Sequence, residues 1–194
     1  MNMSRPGHPT RRAWLGQFGV FALSGLGLLV GADAWSAAVP AELAADLPDA
    51  KLQGSGRLRF FGLQVYDARL WVGARGVGAD WTQTPLALEM QYLRGLPGQQ
   101  IAERSLAEMR KHGDVAADAA ERWLADMKKA FPDVKANDRI TGVLLPGQGA
   151  RFFFNGALRV EVRESEFAKL FFGIWLSPKS SEPALRQALL GAAK

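Results

Sequence analysis

Hydrophobic and polar residues recur with two different periods along the chain. Six segments alternate with a period of two, which is typical of strands: residues 57–61, 63–72, 86–92, 139–145, 150–154 and 158–163. The segment 86–92 alternates most strictly, with Glu89 and Gln91 opposite its apolar positions, and this favours a half-buried strand. Gly62 separates the first two segments, and Asn155-Gly156 separates the last two, which predicts a tight hairpin turn.

Four other segments show apolar residues at helical spacing. Residues 97–112 and 116–131 each carry one apolar stripe, which predicts two amphipathic helices. Residues 167–176 read FAKLFFGIWL and are apolar nearly all round, so this helix must be covered on several sides. A last helix is predicted at 182–190, with Gly191 as its end.

The order of these elements indicates the fold class. Three strands, two helices, three strands and two helices lack the strand-helix alternation that builds a parallel sheet. The pattern therefore predicts an α+β domain, in which helices cover one face of an antiparallel sheet. The polar, proline-containing segment 39–49 that precedes the first strand is predicted to be a lead without a regular element.

The N-terminus has the features of a cleavable export signal at residues 1–38. Arg5, Arg11 and Arg12 precede an apolar run at 18–30, and small residues around Ala38 could serve as a cleavage site. Residues 10–15 (TRRAWL) resemble the twin-arginine motif, with the general secretory route as the alternative. We therefore expect a periplasmic or otherwise exported protein, a single domain at 39–194, and no stable membrane span after cleavage.

Composition narrows the chemistry that this domain can perform. The 194 residues include no cysteine, which excludes disulfides, thiolate catalysis and cysteine-based metal sites. His112 is the one histidine after residue 38, so neither a metal site nor a cofactor is predicted. The formal charge of +5 comes without a run of Lys and Arg, and we expect no nucleic-acid partner.

Several separated motifs resemble the bacterial chalcone-isomerase-like proteins, in the same order and over almost all of residues 39–194. They are GSGRLR at 54–59, FGL at 61–63, VYDARLW at 65–71, FPDV at 131–134, DRI at 138–140, FFNG at 153–156, FAKLFFGIWLSP at 167–178, LR at 185–186 and LLG at 189–191. The resemblance implies the chalcone isomerase fold, an open-faced β-sandwich with a cleft between sheet and helices. Plant enzymes of this fold cyclise chalcones, and related plant members bind fatty acids.

The residues that plant enzymes use for catalysis match this sequence poorly. The positions that resemble their Thr, Tyr, Asn and second Thr fall at about Phe61, Ile101, Glu108 and Leu170, and no Arg stands near Asp49. Apolar side chains cannot hold a water molecule or stabilise an oxyanion. The resemblance therefore implies a protein of this fold without true chalcone isomerase activity.

Our leading hypothesis is a protein that binds an apolar or amphipathic small molecule, such as a fatty acid, in the cleft. The predicted contacts are Arg59, Phe61, Tyr66, Tyr92, Leu170 and Phe171. Tyr92 is otherwise expected to be a core residue with a hydrogen-bonded hydroxyl. The first alternative is an isomerase or lyase with a non-flavonoid substrate, in which Arg59 and Tyr66 act together. The second is a non-catalytic interaction module, in which the aromatic residues fill a closed core or cover a partner.

Overall fold

A computed structural model describes residues 38–77 and 80–191 of the chain. These residues belong to one compact unit that carries its own hydrophobic core, so the unit can be produced without the predicted export signal. Apart from its last residue, the signal predicted at residues 1–38 lies outside the described residues. None of the described helices is long and apolar enough to cross a membrane.

Six antiparallel strands form one sheet in which the spatial order follows the chain order. The strands are β1 (Lys51–Phe60), β2 (Leu63–Val72), β3 (Leu86–Tyr92), β4 (Arg139–Leu145), β5 (Gly149–Phe154) and β6 (Ala157–Val162). All six predicted strands are confirmed, although β1 begins at Lys51 rather than at Arg57. The alternation signal misses this first half of β1, where Gly54 and Gly56 provide no side chains to reveal a buried face.

Four helices pack on one face of this sheet, as the element order predicts. They are α1 (Gly98–Met109), α2 (Ala117–Ala130), α3 (Ser165–Leu176) and α4 (Pro183–Leu190). Helix α3 lies within the core, where Phe167 and Phe171 stack with ring centroids 5.6 Å apart. Phe152 of β5 contacts Phe171 edge-on at 5.0 Å. The all-round apolar character of α3 therefore reflects contacts with both the sheet and the neighbouring helices.

The opposite face of the sheet is also covered, which the sequence analysis did not predict. The segment predicted as an irregular lead contains a short 3-10 helix (Ala41–Leu43) and buries Leu43 and Leu47 against Trp71 of β2. Strand β3 is consequently buried on both faces rather than half-buried, and Glu89 is only 4% exposed. The carboxylate of Glu89 accepts a hydrogen bond from Trp71 Nε1 (2.7 Å) and forms an ion pair with Arg69 (3.1 Å). These contacts compensate for the burial of a charged group.

Two hairpin turns share one backbone conformation but differ in sequence. Asn155 and Gly156 between β5 and β6 have φ of 48° and 86°, as predicted for an Asn-Gly turn. Phe61 and Gly62 between β1 and β2 have φ of 46° and 78°. Asparagine tolerates this left-handed region, whereas a bulky residue such as Phe61 is strained there.

Substitution of Phe61 by Asn is therefore expected to stabilise the protein by about 1 kcal/mol, because the strain at the turn is relieved. The ring of Phe61 is 90% exposed and lies edge-on to the ring of Phe60, with centroids 4.5 Å apart, so little packing is lost. Urea denaturation provides the measurement. The control Phe61→Ala removes the same ring but keeps a strained residue, and it should not be stabilised. Equal stabilities for the two variants would contradict the strain at this turn.

Candidate ligand-binding site

A cavity of about 380 Å³ lies between the helices and the β1–β3 half of the sheet. This volume falls within the range of small-molecule binding pockets, roughly 300 to 1,000 Å³. Strands β1 to β3 form its floor, and helices α1 and α3 form most of its roof. Its apolar lining residues are Leu58, Phe60, Leu63, Val65, Met90, Leu96, Ile101, Phe131, Ile140, Phe171, Ile174 and Trp175.

The positions of the lining residues that lie on strands and helices follow from the periodicity of those elements. Tyr66, Met90 and Tyr92 alternate with residues on the opposite face of the sheet, so they point towards the helices. On α1, Ile101 and Ser105 are four residues apart and therefore share one helix face. Because β2 and β3 pair in register, their inward side chains form a continuous wall.

Two tyrosines stand side by side in this wall. Tyr66 and Tyr92 are partners across β2 and β3, with ring centroids 5.8 Å apart and edge-to-face geometry. Trp175 Nε1 donates a hydrogen bond to the Tyr66 hydroxyl at 2.9 Å. Burial raises the pKa of both phenols above the ordinary value, so both stay neutral and can donate to a ligand oxygen. Tyr92 is 2% exposed, which confirms its expected core position, while its hydroxyl forms no hydrogen bond with another described residue.

A group of ion pairs and hydrogen bonds around Glu108 forms a polar part of the cavity lining. Its carboxylate pairs with Arg104 (2.5 Å) and Lys111 (2.9 Å) and accepts a hydrogen bond from Ser181 (2.7 Å). Burial acts to raise the pKa of Glu108, but Lys111, Ser181 and Arg104 together hold that pKa below its ordinary value. Glu108 is thus ionised at neutral pH, and it links α1 to the segment between α3 and α4.

Arg94 also lines the cavity, from the segment that follows β3. The backbone N–H of Leu93 donates to the carbonyl of Val65 (2.9 Å), which places the next residue beside the hairpin between β1 and β2. Arg94 lines the cavity, is exposed, and makes no hydrogen bond or ion pair with another described residue. Its guanidinium is therefore available to an anionic group at the edge of the cavity.

Three of the six predicted contact residues line the cavity: Tyr66, Tyr92 and Phe171. Their contact with a ligand stays a prediction. Arg59 does not line it, because a bulge between Leu58 and Arg59 interrupts the pairing of β1 with β2 and leaves Arg59 exposed.

Phe61 and Leu170 are also absent from the lining. Phe61 is 90% exposed at the hairpin turn. Leu170 is buried on another side of α3, where it faces Gly113. The sequence analysis could not separate the sides of α3, because every side of that helix is apolar.

Sequence reasoning also missed residues that line the cavity, among them Arg94, Arg104 and Trp175. The helical period of α1 could have indicated Arg104, which lies on the same face as Ile101 and Glu108. No periodic signal could have indicated Arg94, because it lies in a connecting segment. Arg59 and Tyr66, which the enzyme hypothesis requires to act together, are not brought together in the cavity.

Comparison with known proteins identifies the family. A family profile described as chalcone isomerase-like matches residues 35–191. The chain belongs to the chalcone isomerase-like family. It is 30% identical over 116 residues to an uncharacterized protein of Haemophilus influenzae, and the match covers 58% of this chain and 54% of that protein. The chain thus matches only about half the length of this relative.

A solved structure shows the same fold. The fatty-acid binding protein of Arabidopsis thaliana superposes with a TM-score of 0.59 at 14% identity, covering 73% of this chain and 87% of that chain. The predicted fold, an antiparallel sheet with helices on one face as in chalcone isomerase, is confirmed. In this chalcone isomerase-like protein, the positions implied for the catalytic Tyr and Asn are Ile101 and Glu108. Both line the cavity, and neither provides the hydroxyl or amide of those residues.

Proposed function

We propose that this chain binds a fatty acid or a similar single-chain amphiphile in the cavity between sheet and helices. The observation that carries the proposal is the cavity of about 380 Å³, whose walls are largely hydrocarbon and aromatic. Each methylene group that moves from water into such an environment contributes about 0.8 kcal/mol. A chain of methylenes is therefore the type of ligand that these walls favour.

The solved structure of the same fold supports this choice of ligand class. That protein of Arabidopsis thaliana is a fatty-acid binding protein, and it shares the fold with this chain at low identity. The ligand class is consequently an inference from two sources, the apolar cavity of this chain and the named property of the structural neighbour.

The charges at the cavity suggest how such a ligand would be oriented. We place its carboxylate at Arg94, because this exposed guanidinium has no partner among the described residues. The hydrocarbon tail would then extend between Met90, Phe131 and Phe171. A carboxylate beside Glu108 would instead meet a group that is itself negatively charged at neutral pH and that already pairs with Arg104 and Lys111.

The isomerase or lyase hypothesis has less support. It requires a buried polar group that combines Arg59 with Tyr66, and Arg59 is exposed outside the cavity. The two neutral phenols and the hydrogen bond from Trp175 can orient a ligand oxygen without a chemical step. The interaction-module hypothesis requires that the aromatic residues fill a closed core or cover a partner from a surface without a cavity, whereas a cavity of about 380 Å³ is present.

We further propose that residues 1–38 direct export and are removed, which would place residues 39–194 in the periplasm or outside the cell. The basic residues, apolar run and small residues of this segment support that proposal. The same experiment can examine both export and ligand.

The decisive experiment is native mass spectrometry with lipid extraction on protein purified from the exported compartment of its host. The intact mass reports whether the signal has been removed. A stoichiometric fatty acid or similar amphiphile in the extract is the expected result. For saturated fatty acids of increasing length, affinity should rise about fourfold for each methylene until the cavity is filled. A protein that stays empty after incubation with these acids would contradict the proposed function.

Substitution of Arg94 by Ala is expected to weaken palmitate binding about tenfold, because a charge-assisted hydrogen bond to the carboxylate is lost. The primary alcohol of the same chain length should lose almost no affinity, since it lacks the charge. Isothermal titration calorimetry with both ligands provides the measurement. Arg110→Ala is the matched control, because Arg110 is exposed at the end of α1 and does not line the cavity. Equal losses for acid and alcohol would show that Arg94 does not bind the carboxylate.

A further inference from the structure

The turn between β1 and β2 exposes three large apolar side chains next to one another. We name Phe60, Phe61, Gly62 and Leu63 the hairpin tip. Phe61 is 90% exposed, Leu63 54% and Phe60 50%. Single exposed apolar residues are common on protein surfaces, whereas a contiguous group marks an interaction site.

The strain at Phe61 indicates that this exposed ring is not a requirement of the turn. The same left-handed backbone occurs at Asn155 in the hairpin between β5 and β6, where a polar residue forms the turn without strain. At the hairpin tip, a bulky aromatic residue occupies the equivalent position and is presented to solvent. Strained residues persist mainly at functional sites, so the ring of Phe61 is better explained by binding than by folding.

The hairpin tip is continuous with the ligand cavity. Phe60 and Leu63 line the cavity and are half exposed, so the cavity reaches the surface at this hairpin. Phe61 stands outside the lining, beyond these two residues. A surface that contacted the hairpin tip would therefore lie next to the cavity opening.

Arginines that have no ion pair among the described residues lie next to the hairpin tip. Arg59 adjoins the tip in sequence, and Arg94 follows Leu93, which bonds to Val65 near the start of β2. The guanidinium of Arg104 lies 5.9 Å from the ring centroid of Phe60, but it is already paired with Glu108. Neither Arg59 nor Arg94 forms an ion pair with another described residue. Asp67, the acidic residue on the adjacent part of β2, is already paired with Arg57 at 2.5 Å.

We propose that the hairpin tip docks on an anionic lipid bilayer and that the cavity exchanges its amphiphile with the membrane there. A bilayer provides an anionic surface for arginines and, directly beneath it, hydrocarbon for exposed aromatic side chains. It is also the compartment that holds single-chain amphiphiles. The exchange rests on the proposed function, whereas docking can be measured without any ligand.

The test is co-sedimentation of residues 39–194 with vesicles. Binding to vesicles that contain phosphatidylglycerol should be about tenfold tighter than binding to phosphatidylcholine alone, and added salt should weaken it. Phe61→Asn and Phe61→Ala should each weaken binding to the anionic vesicles about tenfold. These two variants differ in the strain that they leave at the turn, so a common loss reports the missing ring and not the fold.

Leu158→Ala is the matched control, because Leu158 is 56% exposed on β6 at the opposite edge of the sheet. It should sediment with the vesicles as the unmodified protein does. Equal effects of the Leu158 and Phe61 variants would overturn the proposal. So would a protein that binds palmitate in solution but no vesicle, or a self-association that Phe61→Asn abolishes without any vesicle binding. Failure to bind palmitate would instead contradict the proposed function.

Discussion

Replacement of Ile101 by Trp is expected to weaken palmitate binding at least about 100-fold. Ile101 lines the cavity from α1, and the larger indole would occupy space that the hydrocarbon tail needs. If the indole displaces about four methylenes, the loss is about 3 kcal/mol at about 0.8 kcal/mol per methylene. Titration calorimetry or displacement of a fluorescent fatty acid would measure the change.

The matched control for this prediction is Leu124→Trp. Leu124 is half-buried on α2, packs against the same core and does not line the cavity. Both variants enlarge a partly buried aliphatic side chain, so they should lose similar amounts of stability, while only the Ile101 variant should lose affinity. Unchanged palmitate affinity in a folded Ile101→Trp protein would place the ligand elsewhere.

Substitution of Gly98 by Ala is expected to destabilise the protein by about 3 kcal/mol or more, although it adds only one methyl group. Gly98 is the first residue of α1 and is fully packed against the chain that follows α2. A Cβ at this position would collide with the carbonyl oxygen of Phe131 and lie 2.6 Å from the carbonyl carbon of Pro132. These are backbone atoms, so the clash cannot be relieved by a change of rotamer.

The measurement is thermal or urea unfolding, and a loss of about 3 kcal/mol corresponds to a decrease in Tm of about 10 °C for a chain of this size. Gly73→Ala is the matched control, because Gly73 has open space around its Cβ position and no left-handed φ. It should be close to neutral. A Gly98→Ala protein as stable as the Gly73→Ala protein would show that α1 does not pack as closely on this segment as described.

The sequence alone predicts much of this fold, because both periodicities are local properties. Strand β2 has the predicted bounds, and the Asn155-Gly156 turn has the expected positive φ angles. The order of elements indicates an antiparallel sheet with helices on one face, since no strand-helix alternation requires parallel crossovers. The aromatic segment of α3 predicts its own burial, because no single-sided contact could cover it.

The tertiary structure determines the features that depend on contacts between segments distant in the sequence. Periodicity shows that β3 has two faces, but the segment that covers its second face precedes it by about forty residues and has no strong pattern of its own. Periodicity therefore could not reveal that Glu89 would be buried, with Trp71 and Arg69 as its partners. The burial of a charged residue depends on groups that only the folded chain brings within reach.

The candidate site shows the same division between what local periodicity predicts and what contacts between distant segments determine. Tyr66 and Tyr92 were both predicted as cleft contacts, and the pairing of β2 with β3 places them side by side in the cavity wall. Arg59 and Phe61 were misplaced because a bulge and a turn end the alternation at that point, and both then face solvent. Arg94 lines the cavity next to the backbone hydrogen bond between Leu93 and Val65, which joins segments distant in sequence. Sequence periodicity therefore determined which side chains could share a face, whereas the packing of distant segments determined which of them surround a cavity.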